Sequence, residues 1–165
     1  MENFTFFFSA SLSLMFQGHA NLNIDEKGRI IIPSKFRKHI TADANSLMFV
    51  TLGRDNCLWL YPSNEWNKLV IKLQKQNAYT GNVIAMHRQM LYFAEECSID
   101  MQHRILIPQN LLQKVNIRKE VLLLGLLDRI EIWNEKEYMK YLKSKKETYE
   151  DVIEKVMSNP EAPEE

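Results

Sequence analysis

The feature that most constrains how this 165-residue chain folds is an internal repeat. Residues 22–40, LNIDEKGRIIIPSKFRKHI, align without a gap over residues 97–115, CSIDMQHRILIPQNLLQKV, setting Asp25, Arg29 and Pro33 over Asp100, Arg104 and Pro108. A second block follows each copy. LMFVTLGRDNCLWLYPSNEW, from Leu47, matches VLLLGLLDRIEIWNEKEY, from Val121, with Gly53 over Gly125 and Tyr61 over Trp133. Each copy is therefore one supersecondary unit, and such a unit buries its apolar face against a neighbour.

Within a unit, the runs Arg29 to Ile32 and Arg104 to Ile107 end at a proline, which cannot continue a ladder but suits the first position of a helix. The runs Leu47 to Leu52 with Leu58 to Tyr61, and Val121 to Leu124 with Ile130 to Trp133, flank the turn-like stretches LGRDNC and GLLDR and predict hairpins. Each unit thus supplies about four short strands and one short helix, which is marginal alone, so the two copies bury their apolar faces together in an α+β fold.

Helices are expected after each unit. Ser63 is placed to cap the first, with Trp66, Leu69, Val70 and Leu73 at helical spacing. Val83, Met86, Met90, Leu91 and Ala94 suggest another between the units. Asn134 is placed to cap the last, along which Tyr138, Tyr141, Leu142, Tyr149, Val152, Ile153 and Val156 trace one stripe. These stripes read as core or interface packing rather than ligand sites. The expected organisation is an extension outside the fold (1–14), a first repeat (19–66), connecting helices (67–94), a second repeat (95–138), and a C-terminal helix with an unstructured acidic tail (139–165). The opening MENFTFFFSASLSL is as apolar as the middle of an export signal, yet Glu2 stands where such a signal is basic, so Met15 is read as the start of the fold.

Lysine plus arginine equals aspartate plus glutamate at 21 each, so any case for a polyanionic partner rests on local distribution. That distribution is uneven. Lys27, Arg29, Lys35, Arg37 and Lys38 form an island without acid, as do Arg104, Lys114, Arg118 and Lys119, and acid concentrates from Glu147 onward. One charge run is ordinarily a solvated surface, whereas two at equivalent repeat positions suit duplex DNA.

The sharpest local signal is D-x-x-x-R, at Asp25 to Arg29 and again at Asp100 to Arg104. Gly28 permits positive φ, and the aspartate is able to bond the local backbone or hold the arginine in a set direction. A fixed guanidinium reads guanine or clamps phosphate. The plain alternative is a turn with a surface ion pair worth at most about 1 kcal/mol. The candidate DNA contacts are therefore Lys27, Arg29, Lys35, Arg37, Lys38, His103 and Arg104, with Asp25, Gly28 and Asp100 shaping the turns. Gln102 and His103 replace Lys27 and Gly28, which removes a cation and sets a histidine where positive φ is expected, so the first repeat is expected to dominate binding.

Other functions find little support. Cys57 and Cys97 are too few for a disulfide scaffold and fit a reducing compartment. The four histidines show no metal-ligand spacing, and no nucleophile-base set, phosphate loop or dinucleotide fingerprint occurs, so neither catalysis nor a metal or cofactor is expected. No apolar run reaches the roughly 18 residues of a membrane span.

The stretches MFQGHANLNIDEKGRIIIPSKFR, GRDNCLWLYPSNEW, SIDMQHRILIPQNL and GLLDRIEIWNEKEY together resemble the four signature stretches of the MraZ family, and the likeness runs from Met15 to about Leu142. The resemblance implies two tandem SpoVT-AbrB-like swapped-hairpin units forming one pseudo-twofold barrel. It also implies ring-like homo-oligomers in the cytoplasm, associated with the nucleoid. They would bind double-stranded DNA at tandem promoter boxes upstream of the division and cell-wall gene cluster, regulating transcription of that cluster and of their own operon. The alternatives are a ring-forming assembly module without specific DNA binding and an antitoxin-like AbrB relative, although the latter is usually a single unit that dimerises.

Overall fold

The structure is a computed structural model describing residues 15–40, 46–77 and 79–158. The expectations for residues 1–14 and for the tail from residue 159 lie outside the described residues. The chain divides into two compact units at Glu135 and Lys136.

In the first unit the first repeat supplies β1 (His19–Asn23), β2 (Arg29–Ile31), α1 (Ser34–Arg37), β3 (Leu47–Leu52) and β4 (Leu58–Pro62). Helices α2 (Ser63–Gln74) and α3 (Gly81–Tyr92) follow, and the second repeat supplies β5 (Glu95–Ser98), β6 (Arg104–Leu106), α4 (Gln109–Lys114), β7 (Glu120–Leu126) and β8 (Arg129–Trp133). The fold is α+β. Its strands form a six-stranded antiparallel sheet in the order β1-β7-β8-β4-β3-β5 and a two-stranded ribbon, β2-β6. Apart from the β3-β4 and β7-β8 hairpins, every strand pairing joins one repeat to the other: β1 to β7, β5 to β3, β4 to β8 and β2 to β6.

Alternation along the strands sorts side chains between two faces. Leu58 and Leu60 on β4, with Ile130 and Ile132 on β8, face the main core, where they join Phe16, Phe36, Ile30 and Ile105. Tyr61 and Trp133, one residue further along each strand, are buried on the other face, and there Trp66 of α2 stacks on Phe49 at 5.2 Å between ring centroids. The buried hydroxyl of Thr51 donates to the Met90 carbonyl at 2.6 Å and so ties β3 to α3.

Several boundaries differ from the sequence reading. The prolines stand one position ahead of their helices: Pro33 and Pro108 have extended ψ of 147° and 136°, and their carbonyls accept the first helical N–H bonds. Pro62 likewise precedes α2, which makes Ser63 its first helical residue rather than its cap. Asn134 does stand immediately before α5 (Glu135–Ser144). The last apolar stripe is divided between α5 and α6 (Tyr149–Ser158), because Thr148 and Asp151 form a reciprocal capping box: the Asp151 carboxylate accepts from Thr148, and the Asp151 N–H donates to the Thr148 hydroxyl at 3.2 Å.

Phe16, 2% exposed, exchanges two backbone hydrogen bonds with Leu127 at the tip of the β7-β8 hairpin. The chain there passes so close to Gly125 that an added β-carbon would lie 2.7 Å from the carbonyl carbon of Phe16 and against the amide nitrogen of Gln17. Gly125→Ala is therefore expected to lower the unfolding free energy by about 1–3 kcal/mol, the usual range for overpacking. Gly81→Ala, whose β-carbon would meet nothing within 4 Å, should stay near wild type when both are measured by urea unfolding.

Candidate nucleic-acid interface

Both D-x-x-x-R segments fold into the same turn. In the first, Asp25 Oδ1 accepts the N–H groups of Lys27 and Arg29, each at 2.9 Å, and Oδ2 accepts the Arg29 side-chain Nε at 2.6 Å. In the second, Asp100 accepts from Gln102 N–H, Arg104 N–H and Arg104 Nε, each at 2.9 Å. Each aspartate thus performs both tasks expected of it, closing the local backbone and aiming the guanidinium. The turns place Gly28 at φ 86° and His103 at φ 61°. A left-handed conformation costs a non-glycine residue about 1–2 kcal/mol, so the second turn carries strain that the first avoids.

What surrounds each turn comes largely from the other repeat. The carbonyl of Gly28 accepts from Ile107 N–H at 2.9 Å, and that of His103 accepts from Ile32 N–H at 2.8 Å. The first turn therefore abuts the start of α4, where the Gln109 amide would touch a β-carbon at Gly28 at 2.9 Å. Arg118 and Lys119 line a surface depression together with Asp25 and Glu26. The second turn is bonded two residues ahead of α1, which carries Lys35 and Arg37 and leads into Lys38. The turn tips differ less in charge than the missing lysine suggests, since Glu26-Lys27 is replaced by Met101-Gln102 and both pairs sum to zero.

The ribbon joins the two turns. Its register sets Arg29 opposite Leu106, Ile30 opposite Ile105 and Ile31 opposite Arg104. Arg29 and Arg104 thus share one face, because residues directly opposite in an antiparallel pair project to the same side. Their side chains keep 30% and 25% of their exposure, enough to meet a ligand while their aspartates hold them.

The other candidates are placed unequally. Lys27 and Lys38 are exposed, with no ion pair among the described residues. Lys35 is also exposed but donates to the His19 carbonyl. Arg37 is half-buried with Nε enclosed and unbonded, at the position where the second repeat has the buried Leu112. Its Nε is accordingly closed to a ligand. Gln109, Ile31 and Leu106 were not among the candidates. No sequence signal marks Gln109, because its nearness to Gly28 depends on the exchange of partners between repeats.

The remaining reactive groups are quiet. Burial raises Cys97 to about 11 and pushes Cys57 further up still, against the ready thiolate formation of a reactive cysteine. Tyr61 is raised to about 12 by burial. No cluster of His, Cys, Asp or Glu among the described residues has the arrangement to hold a metal ion, and no described helix is long and apolar enough to cross a membrane.

Both turn aspartates are held below the ordinary aspartate value, chiefly by the backbone N–H of Arg29 or Arg104, with the guanidinium bond assisting and partial desolvation opposing. A carboxyl lowered on folding contributes stability above its unfolded value, near 3.8, and that contribution fades as pH falls through the lower folded value. The double variant Asp25→Asn, Asp100→Asn should therefore have a lower urea midpoint than wild type at pH 7. That gap should narrow as the pH is taken below 3.8.

The family model described as "MraZ protein, putative antitoxin-like" matches residues 15–84 and again 90–159. Among similar proteins, the transcriptional regulator MraZ of Halothermothrix orenii is 41% identical over 138 residues, covering 84% of this chain and 94% of that protein. The protein of the same name from Clostridium tetani is 41% identical over 142 residues, covering 86% and 96%, and that of Shewanella sediminis is 38% identical over 135 residues, covering 81% and 89%.

Proposed function

The chain belongs to the MraZ family, and from that premise we propose that it is a transcriptional regulator that binds double-stranded DNA through the turns at Arg29 and Arg104. The observation that carries this reading is the pair of aspartate-held guanidiniums on one face of one ribbon. An arginine fixed in advance loses less freedom on binding, and its planar fork suits guanine or phosphate. Lys27 and Lys38 supply phosphate contacts, Lys35 does so after releasing His19, and Arg37 and His103 lie at the margin. Asp25, Gly28 and Asp100 shape the turns.

The finer parts of this reading rest on the resemblance in sequence. The sheet and ribbon are read as one pseudo-twofold swapped-hairpin barrel, and the protein as a ring-forming homo-oligomer in the cytoplasm, associated with the nucleoid. The DNA is read as tandem promoter boxes of the division and cell-wall gene cluster and of its own operon. An apolar stripe on α6, where Val152 and Ile153 are each 40% exposed and Val156 64%, supports assembly. Cations of the other repeat flank each turn, and the first repeat is read as the dominant contributor because its left-handed step falls on Gly28 where the second strains His103.

On the promoter fragment of its own gene, Arg29→Ala and Arg104→Ala should each weaken binding by about 1–3 kcal/mol, and Lys27→Ala should reduce the salt slope by about 0.9. Fluorescence anisotropy over a salt series measures both. Wild-type affinity in both arginine variants, with assembly intact, would remove the assignment.

Linked contacts raise apparent affinity by roughly 10²–10⁴ when their spacing fits, so a tandem array should bind far more tightly than one isolated box. Inserting half a helical turn between boxes should abolish that advantage, because DNA faces recur about every 10 bp. Equal affinity for all three duplexes would exclude assembly as the source of tight binding.

A further inference from the structure

The outer face of the β2-β6 ribbon holds an apolar pair that neither the core nor the arginine turns require. Ile30, Ile32, Ile105 and Ile107 are at most 1% exposed, yet Ile31 and Leu106 are 55% and 54% exposed. The register sets them on the face that carries Arg29 and Arg104, with each aliphatic side chain directly opposite one arginine. Four side chains thus form a small tile, the arginines on one diagonal and the aliphatics on the other. Diagonal neighbours in an antiparallel pair lie about 7–8 Å apart.

A ligand matched to this tile carries negative charge at its edges and small apolar groups between them. The major groove of duplex DNA has that pattern: phosphates line it, it is about 12 Å wide and admits a two-stranded ribbon, and thymine projects a methyl group into it. A second copy of the chain meeting this face about a twofold axis would bring four arginines together, which opposes self-association there. We propose that Ile31 and Leu106 are specificity residues that contact thymine 5-methyl groups in the major groove, between the sites engaged by Arg29 and Arg104. At about 3.4 Å per base step, the two methyl groups read would lie roughly two steps apart. The inference rests on the duplex-binding reading above and adds to it a source of sequence preference beyond the arginines.

The test begins with duplexes enriched by the full-length protein from a random pool. Each thymine in the enriched sequence is then replaced by deoxyuridine, which deletes the methyl group and nothing else. Wild type should lose affinity about fourfold at one or two positions, the effect of leaving one methyl group unburied, and be indifferent elsewhere. Ile31→Ser and Leu106→Ser should bind the thymine duplex correspondingly less well and lose sensitivity to deoxyuridine at one position each, with unfolding midpoints and molar mass by light scattering unchanged. Deoxyuridine without effect on wild type at every position, or serine variants that keep full methyl sensitivity, would overturn the proposal. A change of molar mass in the variants would overturn it too, by making the pair a contact between copies. If no duplex is enriched at all, the duplex-binding reading itself fails, an outcome distinct from enrichment without methyl sensitivity.

Discussion

The structure depends on the exchange of backbone partners between the two repeats, and the arginine turns depend on it through the ribbon. Three residues of β2 against three of β6 make a ladder too short to persist alone. It persists because both ends are closed by bonds from Ile32 N–H to the His103 carbonyl and from Ile107 N–H to the Gly28 carbonyl, while Ile30 and Ile105 anchor its inner face in the core. Each turn is thereby built from one repeat and seated on the other. A change that loosens the ribbon removes the platform for both arginines together.

The ion pairs within the turns contribute little energy of their own, since solvent screens pairs with this much exposure. Their value is geometric. One carboxylate takes two backbone N–H groups and the guanidinium Nε, so the turn's shape and the arginine's direction become a single property. The second turn keeps this arrangement with a histidine in place of glycine, at the cost of a strained backbone. That the carbonyl of His103 is bonded by Ile32 explains how the strain is sustained: the surrounding structure over-determines the conformation.

Much of this was legible in the residues. The gapless repeat revealed the unit count, the strand and helix order and the equivalence of the two turns, and Gly28 marked the position of positive φ. What was not legible depended on partners distant along the chain. Arg29 to Ile32 is apolar at three consecutive positions, so alternation cannot tell which isoleucine faces out; only pairing with β6 assigns Ile31 to the surface. Arg37 resembled a surface cation until its equivalence to buried Leu112 and its enclosed Nε placed it half inside. The break between α5 and α6 did have a local signal, Thr148 followed three residues later by Asp151, but the continuing apolar stripe obscured it.

Carrying both halves of the ribbon in one polypeptide has a consequence for how the surface changes over time. In a symmetric dimer of single repeats every mutation is made twice, at both ends of the ribbon at once, so a substitution tolerable at only one end is lost. Here Gly28 and His103, Lys27 and Gln102, or Arg37 and Leu112 occupy matching places with unlike residues. One chain carrying both ends lets them differ, and a face made of unlike ends is under no obligation to meet a partner that reads the same in both directions.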